Sequence, residues 1–261
     1  MDIKKEVVVV VSSCDKYSDL WDPFFKLFFK FWKDCPFNVY LISDKIILDL
    51  PRVKVLTSGS SLSWSETLIN VLTYLDEDYI FLILEDLFLI DYVNSKSVLE
   101  IMSWAIDYNV NYLRLYPSPK PDIYFNNLVG VIKKGSIYRA STIFSLWKKE
   151  VLLDLLRPGE NAWEFEIYGS ERSDKYDSFY CTWDRYFKFV NGVVKGKWDR
   201  RAINKLLELG VEIDLSRRKV MSLSEQVKYE FKEKVSIIFK KVVPSKYRRR
   251  IRKLFKRDSS K

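Results

Sequence analysis

There is no histidine anywhere in this 261-residue chain. That absence excludes a Ser-His-Asp or Cys-His mechanism, a histidine general base and any histidine-ligated metal. Acid–base chemistry is left to Asp and Glu, and metal binding to oxygen ligands, which suit magnesium, manganese or calcium. Cysteine is almost as scarce: Cys14, Cys35 and Cys181 match no metal-ligand spacing, and an odd number argues against a disulfide framework. A reducing cytoplasm is the expected compartment. No apolar run approaches the eighteen or so residues needed to span a bilayer. The run Val7-Val8-Val9-Val10-Val11 is short, β-branched and without a small-residue cleavage site, so it reads as a first strand and not as a signal peptide. Neither G-x-x-x-x-G-K-[ST] nor G-x-G-x-x-G occurs, which disfavours P-loop and dinucleotide-fingerprint enzymes.

What is present is a globular composition, 48% hydrophobic and 16% aromatic, with a net charge of +9. The charge is unevenly placed. Residues 217–261 carry 17 Lys and Arg against 4 Asp and Glu, whereas residues 1–216 carry 27 against 31. An acidic body, 1–216, therefore bears a basic appendage, 217–261.

Hydrophobic periodicity predicts strands over 6–12, 37–42, 53–56, 79–84, 111–115 and 137–143, with helices over 24–33, 63–75, 95–108, 147–156 and 198–209. Asp22-Pro23 reads as the start of the first helix, Ser63 with Glu66 as a capping box, and Gly210 as a helix stop. Residues 117–134, with three prolines and Asn126-Asn127, read as a long loop over the site. Alternation of strand and helix predicts an α/β fold: a mixed, largely parallel sheet flanked by helices, with ligands at the carboxyl edge of the strands.

Glu85 and Asp86 interrupt an otherwise apolar stretch, Tyr79-Ile-Phe-Leu-Ile-Leu-Glu-Asp-Leu-Phe-Leu-Ile90. Burying an ionised carboxylate without a partner costs several kcal/mol, so the pair calls for compensation. A strand end at Leu84 would bring the pair to the sheet edge. There a divalent cation, manganese or magnesium, on Asp86 with Glu85 beside it would create a diphosphate site. A solvated loop with Glu85 paired to a lysine is the alternative.

Three stretches, Val11-Ser-Ser-Cys-Asp-Lys-Tyr-Ser-Asp-Leu-Trp21, Tyr79 to Leu89 and Leu156-Arg-Pro-Gly-Glu-Asn-Ala-Trp-Glu-Phe-Glu166, together resemble bacterial GT-A-type glycosyltransferases of capsule and lipopolysaccharide synthesis. Asn191-Gly-Val-Val-Lys-Gly-Lys-Trp198 adds to the likeness, which covers roughly residues 6–217. The resemblance implies a GT-A-like (Rossmann-like) fold and a nucleotide-sugar donor held at Glu85-Asp86-Leu87, where that family often carries Asp-x-Asp. It also implies that the loop with Ser13 and Asp15 binds the nucleotide and that Asp44 reaches its base or ribose.

Glycosyl transfer needs a base for the acceptor hydroxyl and stabilisation of the leaving diphosphate. With no histidine, Glu166 is the first candidate base for an inverting reaction and Glu164 the second, because the Trp163 neighbourhood would desolvate a carboxyl. Exposed acids on a helix or loop are the plain alternative. Arg114, Arg139, Lys195 and Lys197 are candidates to stabilise the diphosphate.

In the appendage, Val220, Leu223, Val227, Phe231, Val235, Ile238 and Val242 recur at helical spacing, a stripe that could dock on the catalytic domain. After Pro244, Tyr247, Ile251, Leu254 and Phe255 oppose Arg248, Arg249, Arg250, Arg252 and Lys253, a basic amphipathic helix suited to an anionic membrane surface. The leading expectation is a peripheral enzyme on the inner face of the cell membrane that glycosylates a lipid-linked or polysaccharide acceptor. A metal-dependent nucleotidyl or phosphoryl transferase is the alternative enzyme. A nucleic-acid binder is a third reading, disfavoured by the acidic body.

Overall fold

The computed structural model describes residues 3–243, 247–249 and 251. A one-turn helix, α1 (Ile3–Glu6), leads into β1 (Val7–Ser12), every residue of which is buried. The strands β2 (Asn38–Ser43), β3 (Val53–Thr57) and β4 (Tyr79–Leu84) join β1 in parallel, in the order β3-β2-β1-β4. Beyond β4 the order continues β9-β6-β10-β8-β7, giving nine strands. In that half, β9 (Ser145–Lys148) runs antiparallel to both β4 and β6 (Tyr112–Arg114). β10 (Phe179–Thr182) is parallel to β6, and the edge is a hairpin of β7 (Ile123–Tyr124) and β8 (Val129–Val131). The fold is the predicted mixed, largely parallel α/β sheet between helices.

Two apolar cores follow from the alternation of side chains along the central strands. Val7, Val9 and Val11 face one side with α2 (Trp21–Phe31), α4 (Ser95–Asp107) and α8 (Arg200–Glu208); Val8 and Val10 face the other with α3 (Trp64–Leu72) and α5 (Lys149–Leu155). The many aromatics are mainly core: Phe24, Phe28, Trp32, Phe81, Phe144 and Phe187 form a chain of stacked, tilted and edge-on ring contacts.

Local signals held where chemistry was explicit. Ser63 and Glu66 form the capping box of α3, and Gly210 takes a φ of 76° after α8. They failed where tertiary context decided. A 3-10 helix, Asp15–Leu20, runs straight into α2, so Asp22 and Pro23 fall within its first turn, where backbone N–H groups need no intrahelical acceptor. The expected strand 137–143 is irregular because Tyr138 and Phe144 adopt positive φ, which no strand ladder accommodates; the strand begins at Ser145 instead. Residues 117–134 are not a loop over the site. They build the β7–β8 edge hairpin, whose turn is closed by the Asn126 side chain accepting from Leu128 N and Val129 N at 2.9 Å each.

Candidate active site

The carboxyl ends of β1 and β4 open into a cleft of about 310 Å³, lined among others by Ser12, Ser13, Tyr17, Trp64, Glu85 and Asp86. β4 ends at Leu84, so the acid pair sits in the turn to β5 (Leu87–Leu89), at the edge expected of it. Behind the turn, β5 pairs with β11 (Phe189–Asn191), and Gly192 N donates to Asp86 O at 2.7 Å. Position 192 must be glycine: an added Cβ would lie 2.1 Å from Phe88, whose ring stacks on Trp198. The stretch 191–198 thus braces the acid pair from behind.

Glu85 is buried, and burial together with the neighbouring Asp86 charge raises its pKa well above the ordinary carboxylate range. Burial also pushes Asp86 up to about 7, and its Oδ1 is enclosed without a hydrogen-bond partner. The negative field reaches further: Tyr17 and Cys14 are raised by burial and then by Glu85. Two hydrogen-bond donors on the same cleft, Ser12 Oγ and Trp64 Nε1, are likewise buried and unpartnered. Three of the seven such atoms among the described residues therefore converge on one cavity.

The cation that acts on both acids is Arg218, which the division at 216 left in the appendage. Its guanidinium grips Asp19 at 2.9 and 3.0 Å, donates to Lys16 O and Gly196 O, and lies 4.4 Å from the Tyr17 ring centroid. From there it lowers the pKa of both Glu85 and Asp86, against the larger effect of burial. Lys219 O accepts from Trp198 N and Met221 N donates to Trp198 O, so 218–221 belongs to the body. The Ser222–Glu225 capping box, which opens α9 (Leu223–Val242), was the signal that could have moved the boundary past 216.

The other predicted residues are dispersed. Ser13 lines the cleft, but its hydroxyl accepts from Trp21 Nε1 at 2.7 Å. Asp15 and Asp44 clamp two loops together: the Asp15 carboxylate accepts from the backbone N–H groups of Asp44, Lys45 and Ile46, while Asp44 accepts from Asp15 N. Neither lines the cleft. Arg114 is fully buried and donates to Tyr138 O and Pro119 O; Arg139 donates to Ile132 O, Ser173 O and Tyr176 O, with burial lowering it to about 10. Both arginines satisfy carbonyls of irregular loops that have no ladder partner, and they are not at the cleft.

Glu164 and Glu166 sit at a helical turn, α6 (Ala162–Glu164) followed by the π-helical Phe165–Gly169 and α7 (Ser170–Arg172), so they diverge. Glu164 closes a capping box with Asn161. Glu166 Oε1 accepts from Ser141 Oγ, Thr142 N and Thr142 Oγ1, which ties down the loop before β9. Trp163 is 63% exposed and cannot desolvate either acid. Both acids are thus engaged in hydrogen bonds within the protein, and neither lines the cleft, unlike the position expected of a base.

Lys195 and Lys197 point away from the cleft, to a second cavity against α9. Lys195 lies in, and Lys197 directly follows, the two-residue turn between β12 (Val193–Val194) and β13 (Lys197–Trp198), where Lys195 and Gly196 both have positive φ. Of the basic segment, Arg248 donates to Val243 O, and Arg249 is committed to Asp174, Ser136 O and Ser170 O, so neither presents a free cation. Tyr247 is half-exposed, and Ile251 is partly covered. Arg250, Arg252, Lys253, Leu254 and Phe255 lie outside the described residues. No helix among the described residues is long and apolar enough to cross a membrane.

No family model and no curated protein matches the chain. Among solved structures it is similar to Staphylococcus aureus TarS. Residues 1–349 of TarS align at 13% identity with a TM-score of 0.44, covering 70% of this chain and 59% of that one. A longer TarS structure gives 12% and 0.49, covering 78% and 38%. TarS 1–349 in complex with UDP-GlcNAc gives 11% and 0.42, covering 81% and 67%. The chain thus spans little more than half of the first of these, and the likeness is distant.

Proposed function

We propose that this protein is a glycosyltransferase that moves a sugar from a nucleoside-diphosphate donor to a glycan or lipid-linked acceptor in bacterial surface-glycan synthesis. The observation that carries the reading is the convergence of three buried, unpartnered polar atoms, Ser12 Oγ, Trp64 Nε1 and Asp86 Oδ1, on one cleft at the carboxyl edge of parallel strands. Such atoms are costly to leave unsatisfied, and a polar ligand would satisfy them together. Ser12 and Trp64 offer donors to phosphate or sugar oxygens, and the Trp64 and Tyr17 rings offer flat faces to a base or sugar.

Asp86 and Glu85 are the residues that would hold a divalent cation, and the unpartnered Asp86 oxygen fits that role. When bound, such an ion offsets the charge of the departing diphosphate. Among the described residues no cluster of three or more acidic or thiol ligands is present, so the remaining coordination would come from donor oxygens and water. Arg218 holds the Tyr17 side of the cleft in place through Asp19 and keeps part of the acid pair's charge in balance. Acceptor activation falls to a carboxylate in the absence of histidine.

The test is product identity. UDP and UDP-GlcNAc, the ligands of the TarS complexes, are the first probes, with manganese or magnesium added. Release of nucleoside diphosphate from a nucleotide sugar, dependent on Asp86, is the expected outcome. Release of nucleoside monophosphate would instead identify a nucleotidyl or phosphoryl transferase working on the same acid pair.

A further inference from the structure

The apolar stripe of α9 faces away from the body. Leu223 is 71% exposed, Phe231 67% and Val242 72%, with Val227, Val235 and Ile238 exposed between them. It is the polar face of the helix that docks. Gln226 donates to Asp199, while Arg201 joins Asp199, Glu230 and Glu233 in an ion-pair network and lies over the Tyr229 ring. Docking of the stripe on the catalytic domain, one of the two readings open in the sequence, is thereby set aside for Leu223 to Val242. A helix of this length that turns six large apolar side chains outward calls for a partner that is itself apolar.

Beside the stripe lies a cavity of about 370 Å³ between α9 and the β12–β13 turn. Four lysines line it, Lys195, Lys197, Lys228 and Lys232, against a single acid, Glu225. Lys197 is paired to Glu225 at 2.5 Å. Lys195, Lys228 and Lys232 have no protein partner among the described residues. Val194, Met221 and Tyr229 give the cavity an apolar and aromatic floor. The acids of α9 offer these lysines nothing more, since Glu230 and Glu233 are held by Arg201 on the docked face.

We infer that this face docks on an anionic phospholipid bilayer: the α9 stripe enters the headgroup–acyl boundary, and the lysine cavity receives a lipid phosphate. The charge arrangement selects this occupant. A second copy of α9 would bring the two sets of Lys228, Lys232 and Lys234 into mutual repulsion, whereas an anionic surface neutralises them while accepting the apolar side chains. The contact differs from the one read in the sequence, which relied on 247–255, and it does not depend on the chemistry of the cleft.

The experiment is co-sedimentation of the full chain with vesicles of phosphatidylglycerol and phosphatidylcholine, compared with phosphatidylcholine alone. Wild type should bind the anionic vesicles and lose affinity steeply with salt. Val227→Asp with Phe231→Asp, at exposed positions that leave the melting temperature unchanged, should weaken binding by about tenfold or more. Lys228→Glu with Lys232→Glu should weaken it similarly at low salt and much less at high salt. Wild-type binding by the stripe variant would overturn the inference, because the basic segment beyond would then suffice. A dimer in sedimentation equilibrium that Phe231→Asp dissociates, without vesicle binding, would overturn it in favour of a second copy.

Discussion

Two acidic pairs in this molecule look alike in sequence and end in opposite conditions. Glu164 and Glu166 flank a buried Phe165; Glu85 and Asp86 interrupt a buried strand run. At the helical turn every acid found donors: the Asn161 backbone for Glu164, and two hydroxyls and an N–H for Glu166. At the end of β4 burial outweighs everything else, Asp86 is raised to about 7, and one of its oxygens has no partner. The same residue types are fully engaged where donors meet them and keep an open acceptor where none do. Burial alone does not separate the two, because Glu85 and Glu166 are about equally covered, at 8% and 9% exposure.

Substitutions can break that comparison. The largest effect is expected from Asp86→Asn, which should reduce donor turnover roughly 100-fold or more by removing the charge that, on the proposed reading, would hold a cation against the diphosphate. The same change should raise stability in chelator. A carboxyl whose folded pKa lies near 7 instead of 3.8 contributes stability at low pH, and that contribution is lost as pH rises toward 7. Asp86→Asn should therefore melt at least roughly 3 °C above wild type at pH 8 and close to it at pH 4. A lower melting temperature at pH 8 would show that the pair is satisfied within the protein.

Glu166→Gln should behave in the reverse sense. Losing a charge-assisted acceptor for three donors costs about 1–3 kcal/mol in denaturant unfolding, while turnover per folded molecule stays within about threefold of wild type. A loss of turnover by orders of magnitude with unchanged stability would return Glu166 to the role of base. The smallest effect belongs to Glu164→Ala, which opens one capping box at a cost of about 0.5–1 kcal/mol and leaves donor binding intact.

Residue-level features carried unequal information about the site. The end of β4 at Leu84 was legible because an apolar strand run cannot continue through two carboxylates. The capping box at Ser63 was legible because its reciprocal bonds are local, and the same pattern at Ser222 was equally local but went unread. Arg218 was hidden: it is 199 positions from Asp19, and nothing in a run of basic residues distinguishes the one that turns inward. Arg114 and Arg139 misled for the complementary reason, since loop carbonyls that need donors leave no mark in the sequence. The α9 stripe was legible as an amphipathic pattern, but periodicity says only that two faces differ, not which one the body takes.

By itself the sequence determined the alternating α/β architecture, the exclusion of histidine from any acid–base or ligating role, and the placing of an acidic pair at a strand end. These depend on short-range pattern and composition, which act before any tertiary contact forms. The tertiary structure alone decided which carboxylates kept their hydrogen-bond capacity free, which arginine balanced them, and which face of α9 stayed outside. Those outcomes depend on donors and acceptors brought together from distant positions, and hydrogen-bond satisfaction is a property of neighbours in space.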